Sequence, residues 1–143
     1  MKKLMDVLYM ENAYYTLTNY IHNNNFISYA MEDYIEMIYR KFINKEYLTI
    51  TTLSNYLHIK KSSCSKMIFK LKTQNLVYIK NNFIYLTKNG FNIGKYLFKR
   101  HQIIETFLIK LNKDKYELEQ VEKIEHFIDN ITLKNLNNLT KYM

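Results

Sequence analysis

LVYIKNNFIYLT, residues 76–87, decides the fold. It consists of two short runs rich in β-branched and aromatic residues around Asn81-Asn82, which is a hairpin signal. Residues 49–75, just before it, read as helix–turn–helix. Thr49 or Thr51 can cap a short helix holding Leu53, Tyr56 and Leu57, and a turn follows at His58-Ile59-Lys60. Ser62 or Ser63 then opens a second helix with Cys64, Met67, Ile68 and Leu71 inward. Helix–turn–helix followed by a hairpin is a winged helix, so residues 29–87 are expected to be a winged helix-turn-helix DNA-binding domain.

The outward face of the second helix shows Ser62, Ser63, Ser65, Lys66, Phe69 and Lys70, with Lys60 and Lys61 just before it. Small hydroxyl residues allow close approach to a major groove, and lysines and backbone N–H groups reach phosphates. Taken alone, this face reads equally well as a solvated basic helix; the hairpin behind it favours DNA. Lys80, Asn81 and Asn82 at the tip can reach the backbone or the minor groove. Cys64 reads as a small core residue.

Working outward, residues 29–45 form an amphipathic helix with Met31, Tyr34, Ile35, Ile38 and Phe42 on its apolar face. Asp33 and Glu36 lie on its edge and, on their own, read as acids that complement a helix N-terminus. Residues 88–112 form a long helix, with Thr87 as N-cap. Its apolar positions are too many for one stripe, so it is buried on more than one side and suits dimerisation. Helices over 114–129 and 132–143 follow. The last of these carries Leu133, Leu136 and Leu139 at helical spacing and is assigned to a dimer interface. Residues 88–143 are thus an all-helical second domain. Residues 1–28 are an N-terminal extension, partly helical, broken at 22–25.

The chain of 143 residues carries a net charge of +8, which points to an anionic partner. Residues 1–28 are neutral, 29–87 carry +5 and 88–143 carry +3, so the excess is greatest in the winged helix. A single cysteine excludes a disulfide framework or a cysteine-based zinc site within one chain. No membrane-length apolar run or signal-peptide core is present, so a cytoplasmic protein is expected.

One stretch needs a different explanation. In VEKIEH, residues 121–126, Glu122, Glu125 and His126 fall at i, i+3 and i+4 of a helix and point the same way. Two carboxylates and an imidazole among Val121, Ile124, Phe127 and Ile128 are costly to pack unless something positive joins them. A divalent metal ion would do so. One turn is half a site, however, and His101 in the long helix reads by itself as a structural histidine.

The segments MEDYIEMIYR (31–40), SSCSKMIFKLK (62–72), YLTKNG (85–90), RHQIIETFL (100–108) and VEKIEH resemble, in order and spacing, the diphtheria toxin repressor family of metal-activated winged-helix repressors. The resemblance covers about residues 29–143. It is closest to the short, manganese transport regulator branch, which lacks the SH3-like third domain. It implies six metal ligands: Asp33, Glu36, His101, Glu122, Glu125 and His126. Members of the iron-responsive branch carry Met and Cys where this chain has Asp33 and Glu122, both hard oxygen donors. Glu105 matches an acid of an ancillary site in that branch, and Leu118 stands where that site has a further His. Lys61 stands where relatives have Pro, and Cys64 where they have Val.

Four carboxylates and two imidazoles suit Mn²⁺, up to two ions per subunit, with Fe²⁺ the alternative effector. The resemblance further implies a homodimer, a palindromic operator, control of metal-homeostasis genes such as those for uptake, and neither a membrane nor a small organic substrate as partner. Two other readings are open to the residues. A di-iron enzyme would need ExxH on two helices, but Lys123 occupies the position three before His126. A metal-independent winged-helix regulator would leave the six matching ligand residues as coincidence.

Overall fold

The computed structural model describes residues 27–113 and 118–143, so the predicted extension over 1–28 lies almost wholly outside the described residues. The chain divides into two compact units, one ending at Phe98 and the other running from Lys99 to the C-terminus.

The first unit contains α1 (Tyr29–Ile43), α2 (Ile50–Tyr56), α3 (Lys61–Thr73), β1 (Val77–Lys80), β2 (Phe83–Leu86) and the first part of α4 (Lys88–Leu111). The Ser28 side chain caps α1 by accepting from the Met31 N–H at 3.3 Å. Met31, Tyr34, Ile35 and Ile38 are buried as the periodicity predicts, while Phe42 stays about half exposed and packs edge-on against Phe91. Thr49 and Thr52 form a reciprocal capping box at the start of α2. Leu53 is buried, but Tyr56 points outward, contrary to the apolar-face reading. Its ring lies 3.7 Å from Lys41 Nζ and its hydroxyl donates to Glu46, so a polar partner sets its direction.

Between α2 and α3 the chain turns at His58, whose φ is 53°. The next helix begins one residue earlier than expected, at Lys61, and neither Ser62 nor Ser63 caps it. Cys64, Ile68 and Leu71 are buried and Met67 is half-buried. Burial pushes the Cys64 thiol above its ordinary pKa, which keeps it neutral. Burial and the adjacent Cys64 push the Tyr34 hydroxyl up to about 12.

The hairpin is antiparallel, with Val77 opposite Leu86 and Lys80 opposite Phe83. Asn81 and Asn82 have φ of 51° and 66°, the positive pair that a type I′ turn requires. The Ile84 N–H donates to Leu48 O, which stitches the segment before α2 onto the wing. Thr87 caps α4 as predicted, accepting from the Gly90 N–H at 3.1 Å.

In the second unit Ile103, Ile104, Leu108, Val121 and Leu133 are buried. Its elements are the rest of α4, α5 (Leu118–Ile124), a 3₁₀ turn (Glu125–Phe127) and α6 (Asn130–Thr140). The expected helix over 114–129 is therefore not continuous. Residues 114–117 lie outside the described residues, the helix tightens at Glu125, and Ile128 is extended. Asp129 then caps α6 by accepting from the Thr132 N–H at 2.7 Å, so the last helix starts two residues before the predicted position. Hydrogen bonds from Thr132, with a smaller one from the Ile131 N–H, hold the Asp129 carboxyl below the usual carboxylate range. Of the three leucines assigned to a dimer interface, Leu133 is buried, Leu136 half-buried and Leu139 exposed. No SH3-like domain lies among the described residues.

Candidate metal centre and nucleic-acid face

In the first unit, Asp33 and Glu36 sit one turn apart on α1. Glu36 is buried, and its Oε1 accepts from Arg40 Nε at 3.0 Å. The sequence reading missed this ion pair, although its i, i+4 spacing within MEDYIEMIYR is the signal for one. Glu32, also unremarked in the sequence, is buried too.

The residues named for DNA lie on the surface of the same unit. Ser62, Ser63, Ser65, Lys66 and Lys70 are all exposed on α3, as are Lys60 and Lys61 at its start and Lys80, Asn81 and Asn82 at the wing tip. The inward residues of α3 are fully used by the core, so its Ser/Lys face is free of packing duties.

In the second unit, His101 is buried on α4 and its Nδ1 lies 2.8 Å from Glu125 Oε2 on the 3₁₀ turn. Glu125 is only 1% exposed, which makes its carboxylate costly to hold without a cationic or hydrogen-bonded partner. Glu122 Oε1 is 4.0 Å from the same His101 nitrogen, with its side chain about half exposed. The half-buried His126 turns its Nδ1 toward Arg100 Nη2 at 3.4 Å. Arg100 is itself buried, a role its place beside His101 did not reveal. The turn tightens, yet Glu125 and His126 keep ligand atoms within 4.8 Å of each other, with Glu122 beside His101. A buried carboxylate, Glu125, with a ligand nitrogen of both His101 and His126 within 4.8 Å is a donor arrangement that fits a divalent cation.

Two family models match consecutive parts of the chain. One describes the N-terminal DNA-binding domain of iron-dependent repressors and matches residues 27–82; the other describes their metal-binding and dimerisation domain and matches 87–143. The HTH-type transcriptional regulator MntR of Bacillus subtilis strain 168 is 36% identical over 115 residues, 79% of this chain and 81% of that protein. The chain belongs to the iron-dependent repressor family. The MntR of Listeria welshimeri is 34% identical over the same share of each chain. Among solved structures, that of the manganese regulator SloR superimposes with a TM-score of 0.69 at 26% identity, covering 79% of this chain and 54% of SloR. The chain thus spans about half the length of that structure. As an iron-dependent repressor family member it is a metal-dependent, DNA-binding transcriptional regulator and not an enzyme. Residues 87–143 match the family's metal-binding and dimerisation domain, which supports divalent-metal binding and a homodimer. No helix among the described residues is long and apolar enough to cross a membrane.

Proposed function

We propose that the protein is a Mn²⁺-activated repressor of metal-homeostasis genes, such as those for metal uptake, acting as a homodimer on a palindromic operator in the cytoplasm. The observation that carries this reading is the pairing of buried Glu125 with His101, with Glu122 beside them. Asp33 and Glu36 on α1 and His126 complete the proposed ligand set. Oxygen donors predominate, as the hard ion Mn²⁺ prefers, and four carboxylates balance two divalent ions. The similar solved structure of the manganese regulator SloR supports the same metal.

As a ligand, Glu36 would share or exchange its Arg40 ion pair. An ion bound more tightly by the DNA-binding form favours that form. Linkage requires that operator DNA tighten metal binding by the same factor that metal tightens DNA binding, typically about 1–3 kcal/mol. The raw affinity order of first-row ions places Mn²⁺ below Fe²⁺, Co²⁺ and Zn²⁺, so selectivity has to come from coordination geometry and availability.

An operator-binding titration with Mn²⁺, Fe²⁺, Zn²⁺ or no added metal, with bound metal counted, tests the reading. The expected result is operator binding tightened by Mn²⁺, with two ions bound per subunit. Activation by Fe²⁺ alone would replace the manganese assignment with the iron-responsive one that the family's name carries. Equal binding with and without every ion would remove metal control altogether.

A further inference from the structure

Phe69 stands out on α3. It is 67% exposed, and every other exposed residue of this helix is Lys, Ser or Thr. A single exposed apolar side chain on a protein surface is ordinary; its position distinguishes this one. Ser62, Ser65, Lys66 and Phe69 are spaced i, i+3, i+4 and i+7, so they form one stripe down the exposed face. The opposite face, through Cys64, Ile68 and Leu71, is consumed by the core. Among the described residues no ring contact holds Phe69, in contrast to Tyr39, Phe42, Tyr47 and Tyr78, each of which packs on another ring.

The chemistry of a major groove separates what these side chains can do there. Lysine on phosphate carries no sequence information. Serine hydroxyls donate and accept, so they discriminate bases weakly. An aromatic ring cannot hydrogen-bond a base edge, but it can bury the C5-methyl group of thymine, the one apolar feature of the groove. Phe69 lies two helical turns from the start of α3, about 12 Å along its axis. That is far enough to reach base pairs beyond those met by the N-terminal serines.

We propose that Phe69 is a specificity-determining residue of the protein–DNA interface, reading a thymine methyl group in each half-site. This rests on α3 being the helix that enters the groove. Removing the methyl from that thymine withdraws about one methyl of apolar burial, which weakens binding about fourfold per half-site.

The test uses the full-length Mn²⁺-loaded protein and duplexes enriched by it from a random pool. Wild type and Phe69→Ala are each selected, and their base preferences compared. Phe69→Ala is expected to lose preference for thymine at one symmetric pair of positions and to keep the rest of the motif. Changing thymine to uracil there should weaken wild type about fourfold per half-site and leave Phe69→Ala unaffected. Phe69→Leu should retain part of the preference. Identical motifs for wild type and Phe69→Ala would overturn the proposal. Lys66→Ala distinguishes the two levels of failure. It should reduce the salt slope by about one phosphate contact. If the Lys66→Ala slope is normal and the Phe69→Ala motif unchanged, α3 is not the reading helix. A reduced slope with an unchanged motif removes Phe69 alone.

Discussion

Glu125→Gln is expected to bind metal at least about a hundredfold more weakly than wild type, since loss even of a partner behind a ligand costs 10–100-fold. The glutamine keeps the size of the side chain and a hydrogen bond toward His101, now 2.8 Å from the carboxylate it replaces. It removes the negative charge, which is the property an ion requires. At a Mn²⁺ concentration that saturates wild type, the variant's operator affinity should therefore equal that of metal-free wild type. That corresponds to a drop of roughly 5–150-fold, the range of an ordinary allosteric coupling.

Because Glu125 is buried, the variant needs a folding control. Helix content and thermal midpoint without metal should be unchanged or raised, because a neutral amide is easier to bury than a carboxylate. Glu122→Gln supplies a second control at a half-exposed site where folding is not at stake. Both variants should fail in metal binding together. If Glu125→Gln still binds Mn²⁺ and operator like wild type, the His101–Glu125 pair is structural and the metal site lies elsewhere.

Gly90→Ala is expected to destabilise the DNA-binding unit by about 3 kcal/mol or more, from overpacking together with loss of a buried hydrogen bond. A Cβ built on Gly90 would overlap the carbonyl oxygen of Leu76, and Leu86 Cδ2 would lie 3.2 Å away. The carbonyl cannot swing aside, because it accepts the Thr87 N–H at 3.0 Å where the wing hands over to α4. Alanine is the better helix former by about 1 kcal/mol, but that gain is smaller than the overlap it causes.

Gly94→Ala is a useful comparison. There the added Cβ would lie 2.7 Å from Tyr39 Cβ, so α4 would have to lift slightly off α1. Its cost should be lower, about 1–2 kcal/mol after the helix-propensity gain. Urea unfolding followed by hydrogen exchange within residues 27–98 reads both. A Gly90→Ala protein with the wild-type midpoint would mean that the wing and α4 are not held together at Leu76.

Local chemistry made several features legible in the sequence. Asn81-Asn82 between two β-rich runs sets the turn, because few residues other than Gly adopt positive φ at both positions. The periodicity of α1 and α3 placed Ile35, Cys64, Ile68 and Leu71 in the core. Thr49 and Thr87 cap their helices as their side-chain chemistry allows. The family, and with it metal-dependent DNA binding, was likewise readable from five short segments in order.

Other features depended on contacts between residues distant in the sequence. Helical spacing put Glu122, Glu125 and His126 on one face. What spacing could not show is that the chain tightens to a 3₁₀ turn at Glu125 and buries that carboxylate against His101 from another helix, while Glu125 and His126 keep ligand atoms within 4.8 Å of each other. Tyr56 fits an apolar stripe by spacing, yet Lys41 and Glu46 draw it to the surface. Only the tertiary structure shows why residues 90 and 94 are glycines, since neither has a positive φ. Hairpin turn and helix caps are decided within four or five residues, where the sequence carries the whole physical cause. A buried charge and a close helix approach are decided by whatever the fold brings up against them. Glycine at 90 and the His101–Glu125 pair are both consequences of that second kind.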